Sequence, residues 1–164
     1  MKLSKNFTLN ELVKSNTATR LGISNTPDKE GIIKLRLLVG ELLQPIRDII
    51  GPIRVTSGYR SRELNYMIGS SNNSQHTKCE AIDIQHYKRG KMNNLVIYNT
   101  IINRGLEYDQ CILEFGDSTE TDDPTNPAWI HLSYKATGNR RDLLVAYKDK
   151  NNKTKYRKPN NYYN

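Results

Sequence analysis

The stretch Ser74-Gln75-His76-Thr77-Lys78-Cys79-Glu80-Ala81-Ile82-Asp83 carries a polar loop into a strand and sets a histidine and an acid seven residues apart. That gap is wrong for two ligands on one helix face. It suits a loop-borne histidine followed by an aspartate on the next strand, because Glu80-Ala81-Ile82-Asp83-Ile84 alternates as a strand does. The last histidine, His131, stands in a separate apolar segment, Trp129-Ile130-His131-Leu132-Ser133-Tyr134. Catalytic zinc takes three protein ligands and keeps a fourth position for water, and His76, Asp83 and His131 supply such a set. Spacing alone fits surface or hydrogen-bonded structural residues equally well.

Outward from this stretch, the chain reads as helices first and strands later. Phe7-Thr8-Leu9-Asn10-Glu11-Leu12 predicts a short helix to about Ser15, with Thr8 and Glu11 as a capping box and Phe7 stapled onto Leu12. Thr26-Pro27-Asp28 predicts the start of a long helix. Its apolar stripe is Ile32, Leu35, Val39, Leu42, Ile46 and Ile49, with a kink at Pro45 and an end at Gly51-Pro52. A short strand at residues 53–56, a turn and a short helix at residues 61–68 lead to the loop before Ser74. His86 to Gly90 reads as a turn with His86 exposed, and Met92 to Asn103 as an amphipathic helix capped near Gly105. Residues 108–115 and 128–134 read as strands joined by a long acidic connection, and residues 143–147 as a last strand. The fold class is α+β, with N-terminal helices packed on a mostly antiparallel sheet that carries the His76 and Asp83 region.

A chain of 164 residues fits one domain with a continuous core. We place that domain at residues 1–147 and a basic polar tail at residues 148–164. The tail holds six Lys or Arg against one acid and reads as a solvated tail or a late strand. The excess of 25 Lys and Arg over 17 Asp and Glu, a net charge of +8, favours a polyanionic partner: nucleic acid, an acidic membrane surface or an anionic cell-wall polymer. No zinc finger, ribonucleoprotein motif or helix-turn-helix signature supports nucleic acid, and no apolar run supports membrane insertion. The two cysteines, Cys79 and Cys111, form neither a disulfide framework nor a thiolate metal knuckle. The first residues lack a signal-peptide core, so synthesis in a reducing cytoplasm is expected.

Several ordered blocks sharpen this reading. Val55-Thr56-Ser57-Gly58-Tyr59-Arg60-Ser61, Leu64-Asn65, Gly69-Ser70, Ser74-Gln75-His76, Ala81-Ile82-Asp83 and Trp129-Ile130-His131 together resemble the M15 zinc peptidases, which include D-Ala-D-Ala carboxypeptidases and phage endolysins. Phe7 to Leu12 and Leu43-Gln44-Pro45-Ile46-Arg47 resemble the phage and prophage members. The resemblance spans roughly residues 6 to 135.

It implies zinc held by His76, Asp83 and His131, and it makes Arg60 a catalytic and substrate-binding candidate for a substrate carboxylate or an oxyanion. Ser74 is implied as a substrate-side hydroxyl. Many relatives carry an acid three residues before the last histidine, where this chain has Ala128. Glu114 is the preferred replacement as proton acceptor, since a charge in an apolar strand is costly unless used. Asp122 and Asp123 are the alternatives. Cys79, where relatives often have glycine, reads as a small buried filler.

The implied function is zinc-dependent hydrolysis of peptide bonds in bacterial peptidoglycan, by carboxypeptidase or endopeptidase action. Anionic wall polymers would be a further partner. The enzyme would reach the wall after release by a partner, or be carried in a virion. The alternative is a non-catalytic wall-binding or virion structural protein that retains the fold.

Overall fold

The computed structural model describes residues 1–160. Its N-terminal third is helical. Helix α1 (Leu9–Val13) has the expected capping box between Thr8 and Glu11, and Phe7 and Leu12 are both buried in the core. Helix α2 (Asn16–Leu21), absent from the sequence reading, is capped by Ser15 and closed by Gly22 in the left-handed region. Helix α3 (Lys29–Leu38) starts on Asp28 as N-cap, two residues later than the expected cap at Thr26.

Pro45 does not break the long helix. The chain widens into a π-turn at Val39–Leu43 and continues as α4 (Gln44–Ile50), with Pro45 in its first turn. The wider turn accommodates the missing proline N–H. It also rotates the stripe, so that Leu38 and Leu43 are buried with Leu35, Val39, Leu42 and Ile46 while Ile49 faces solvent.

Seven strands follow: β1 (Ile53–Ser57), β2 (Ala81–Lys88), β3 (Lys91–Met92), β4 (Gln110–Glu114), β5 (Trp129–Ser133), β6 (Asp142–Lys148) and β7 (Thr154–Arg157). Helix α5 (Arg62–Met67) lies between β1 and β2, and α6 (Leu95–Asn103) between β3 and β4. The sheet order is β1-β2-β5-β4-β6-β7, with β3 a short hairpin partner of β2. All pairs are antiparallel except β4 with β6. The α+β reading holds.

Two local expectations change. His86 is buried inside β2 rather than exposed in a turn, with its Nδ1 2.9 Å from the Pro52 carbonyl oxygen. Strand β2 runs on because β1 pairs with it as far as Ile53 opposite His86, which moves the turn to Arg89 and Gly90. Met92 belongs to β3, so α6 begins at Leu95. Within the 148–164 segment, Thr154–Arg157 form β7 on the edge of the sheet; residues 161–164 lie outside the described residues. Among the described residues no helix is long and apolar enough to cross a membrane.

Strand alternation gives the sheet two different faces. Ile82, Leu132, Cys111 and Leu143 lie in register across four strands and are buried in the core with the helices. One residue further along, Asp83, His131, Ile112 and Leu144 form the next row and face the opposite side.

The helices also fix the loop after β1. An added Cβ at Gly58 would stand 2.1 Å from the Leu12 carbonyl oxygen, so only glycine lets this loop lie against α1. Gly58→Ala is expected to destabilise the fold by about 3 kcal/mol, lowering Tm by about 6–12 °C at this chain length. Gly40→Ala, where an added Cβ meets nothing within 4 Å, is the tolerant comparison in the same melting experiment.

Candidate metal centre and active-site cleft

The antiparallel pairing of β2 with β5 puts Asp83 directly opposite His131. His76 arrives from a single 3-10 turn, Gln75–Lys78, that follows the polar loop. Cys79 closes this turn with φ 60°, the left-handed conformation that glycine adopts most easily. Its side chain is buried toward Gly31 of α3, and burial pushes the thiol up to about 12. Cys79 is therefore a filler that stays protonated.

Three ligand atoms converge. His76 Nε2 lies 3.4 Å and His131 Nδ1 2.9 Å from Asp83 Oδ1, and the group can offer one donor from each residue within 4.8 Å of one another. The donor set fits a divalent cation of the zinc type: two imidazoles and a carboxylate. His76 Nδ1 is 2.7 Å from the Gly58 carbonyl oxygen. A carbonyl only accepts, so Nδ1 carries the proton and Nε2 presents its lone pair to the centre. Burial works against the charge on Asp83, but the two imidazoles outweigh it and hold the carboxyl well below the usual carboxylate range. The carboxylate is thus available as a ligand.

Arg60 is committed to the same group. Its Nη2 donates to Asp83 Oδ2 at 3.1 Å, its Nε to Ser57 Oγ at 2.9 Å and its Nη1 to Ser70 Oγ at 3.3 Å. The guanidinium fork that suits a substrate carboxylate is here engaged by protein oxygens at all three nitrogens. Ser74 lines the cleft at the start of the 3-10 turn, and its hydroxyl has no hydrogen-bond partner among the described residues.

The group lies in an open cleft of about 880 Å³. Glu114 lines it from β4, two residues beyond Ile112, which is the register partner of His131. Strand period therefore puts the Glu114 side chain on the face of His131. Burial pushes its carboxyl up to about 7, against the attraction of His131 and with help from the charge on Asp83. Phe115 and Trp129 meet edge to face beside it, with ring centroids 5.3 Å apart.

The loop acids go elsewhere. Asp122 is bound by the Thr119 and Thr121 hydroxyls, and Asp123 pairs with Arg157 at 2.6 Å. Neither lines the cleft. Ala128 donates its N–H to the Glu114 carbonyl at 2.8 Å, so the position where relatives carry an acid is the immediate backbone neighbour of Glu114.

Sequence reasoning missed the other end of the cleft. Asp109, fully buried, holds Lys135 at 2.8 Å and Arg140 at 2.7 Å, and accepts from Gln75 Nε2 at 2.8 Å. Burial opposes this charge, and the hydrogen bonds from Arg140, Lys135 and Gln75 hold the carboxyl well below its ordinary range. The one available signal was an acid at the entry to an apolar strand.

No curated protein matches the chain. The family described as Peptidase M15 matches residues 5–107, more than half of the sequence, including Arg60, His76 and Asp83; Glu114 and His131 lie beyond the matched stretch and are joined to it by the sheet. With that match and a His-Asp-His group able to hold a metal at the head of the cleft, the chain belongs to the M15 family of peptidases.

Proposed function

We propose that the protein is a zinc-dependent peptidase that cleaves peptide bonds of bacterial peptidoglycan. The observation that carries this reading is the convergence of His76, Asp83 and His131 in an open cleft with Glu114 on the same face. The site residues would divide the work as follows. His76, Asp83 and His131 hold the ion, the Gly58 carbonyl fixes the tautomer of His76, and Arg60 fixes the orientation of Asp83. Zinc, when bound, supplies Lewis-acid polarisation of the scissile carbonyl and a lowered pKa for the attacking water. Glu114 accepts the proton of that water and delivers it to the leaving amine. Burial raises this carboxyl above the ordinary carboxylate range, which suits a group that must both take up and release a proton. Ser74 offers the substrate a hydroxyl.

Peptidoglycan as the substrate rests on the resemblance to wall-cleaving relatives and on charge. A net charge of +8 favours residence among anionic wall polymers. The protein would meet the wall after release through a membrane lesion made by a partner, or as part of a virion.

The test is incubation of the zinc-loaded protein with purified peptidoglycan, followed by mass spectrometry of the fragments and assay of new amino termini. Expected are about one zinc per chain, released fragments, and loss of release on chelation with recovery on zinc addition. Metal-loaded protein that binds walls and releases no amino termini would establish the non-catalytic alternative instead.

A further inference from the structure

The cationic end of the cleft has a charge imbalance. One buried carboxylate, Asp109, supports two cations: Lys135 Nζ lies 2.8 Å from Oδ1, while Arg140 donates through Nε at 2.9 Å and Nη2 at 2.7 Å. A single basic residue would neutralise it, so the trio is left with one net positive charge. Both cations line the cleft, with side chains 31% and 53% exposed. Arg140 Nη1 has no partner among the described residues, and Lys135 Nζ keeps donors beyond its contact with Asp109. Lys78, on the same rim, has no ion pair among them either.

The geometry points to the Lys135–Arg140 pair as a subsite for a substrate carboxylate, an inference that rests on the peptidase reading. Two further observations support it. Arg60, the cation nearest the metal ligands, is 16% exposed and has each of its three nitrogens engaged by Ser57, Ser70 or Asp83, whereas Arg140 is 53% exposed and keeps Nη1 unused among the described residues. Position is the other. Asp109 precedes Gln110, which shares the cleft face with Ile112 and, through it, the row of His131. Along β4 the pair thus lies on the opposite side of that row from Glu114, about 10 Å away for three residues of extended chain. A peptide lying along β4 would set its scissile bond at the metal group and a carboxylate within about three residues at Lys135 and Arg140. Two cations converging on one carboxylate give short, charge-assisted hydrogen bonds. The support is rigid, because Asp109 also binds Gln75, the residue before His76, and so ties the subsite to the metal shell.

The experiment uses the zinc-loaded full chain and one pentapeptide, L-Ala-γ-D-Glu-L-Lys-D-Ala-D-Ala, prepared with both carboxylates free or both amidated. Affinity is read as KM where the peptide is cut and as Kd by calorimetry where it is not. The wild type is expected to prefer the diacid by about tenfold. Lys135→Met and Arg140→Gln each leave Asp109 the other cation and Gln75 as donors, and each should lower that preference at least about threefold with zinc content unchanged. Lys135→Arg should restore it. The acid-to-amide ratio is internal to each sample, so a partly unfolded variant still reports it. Equal wild-type affinity for the two peptides overturns the subsite, as does full preference in both variants. A diacid preference without hydrolysis of this peptide upholds the subsite, and the peptidoglycan digestion then decides the peptidase reading; hydrolysis without preference upholds the peptidase reading and overturns the subsite.

Discussion

Glu114→Gln is expected to bind metal as the wild type does and to lose about 10²–10⁴ in turnover, the usual worth of a general base. The amide keeps the shape of the carboxyl in its half-apolar setting beside Phe115 and Trp129 and removes only the proton acceptor. Full activity in this variant would remove Glu114 from the mechanism. Asp122 and Asp123, occupied on their own loop, would then have to move to take its place.

The same substitution has a signature in stability. In metal-free protein Glu114 binds its proton more tightly folded than unfolded, with a carboxyl at about 7 against an ordinary 4.5. Its contribution is therefore full below pH 4.5 and is lost as pH rises through about 7. Glu114→Gln escapes that loss and should be more stable than wild type at pH 8 by up to about 3 kcal/mol, with no difference near pH 4. Denaturant unfolding at the two pH values checks this. In the wild-type holoenzyme the acid limb of kcat/KM should fall at or below about 7, since a bound cation favours the ionised carboxyl.

His131→Ala should lose the metal and at least about 10³ in kcat/KM, because a two-ligand site binds zinc weakly and polarises nothing. The apo fold should survive, since Asp83 keeps Arg60 and His76 as partners. Melting separates the two effects. Zinc at a thousand times its Kd should stabilise the wild type by about 4 kcal/mol, and the variant should show no such rise. A variant that retains zinc with the wild-type affinity would show that His131 is not a ligand.

What the sequence made legible was local. The capping box at Thr8 and Glu11 needs only four residues, and the His76 to Asp83 spacing only eight, so both could be read directly. The two apolar strands at residues 108–115 and 128–134 could also be read, but the register that sets Glu114 opposite Trp129 came only with the sheet. Burial of His86 could not be read this way, because it depends on how far β1 extends beside β2. Exposure of Ile49 follows the π-turn, which adds one residue to a helical turn at a place that periodicity assumes to be regular. Asp109 is the largest omission. Its partners Gln75, Lys135 and Arg140 come from 34 residues before it and from up to 31 after it, and only the sheet brings them together.

The two-faced sheet has a consequence for quality control. Ile82 and Leu132 point into the core in the same register that aims Asp83 and His131 at the cleft. A slip of one residue in β2 against β5 would turn the Asp83 carboxylate toward the aliphatic core and expose Ile82 and Ile84, both fully buried. The register that brings the metal ligands together is thus the one that closes the core. For this molecule, zinc uptake by a refolded chain therefore reports the register of these two strands.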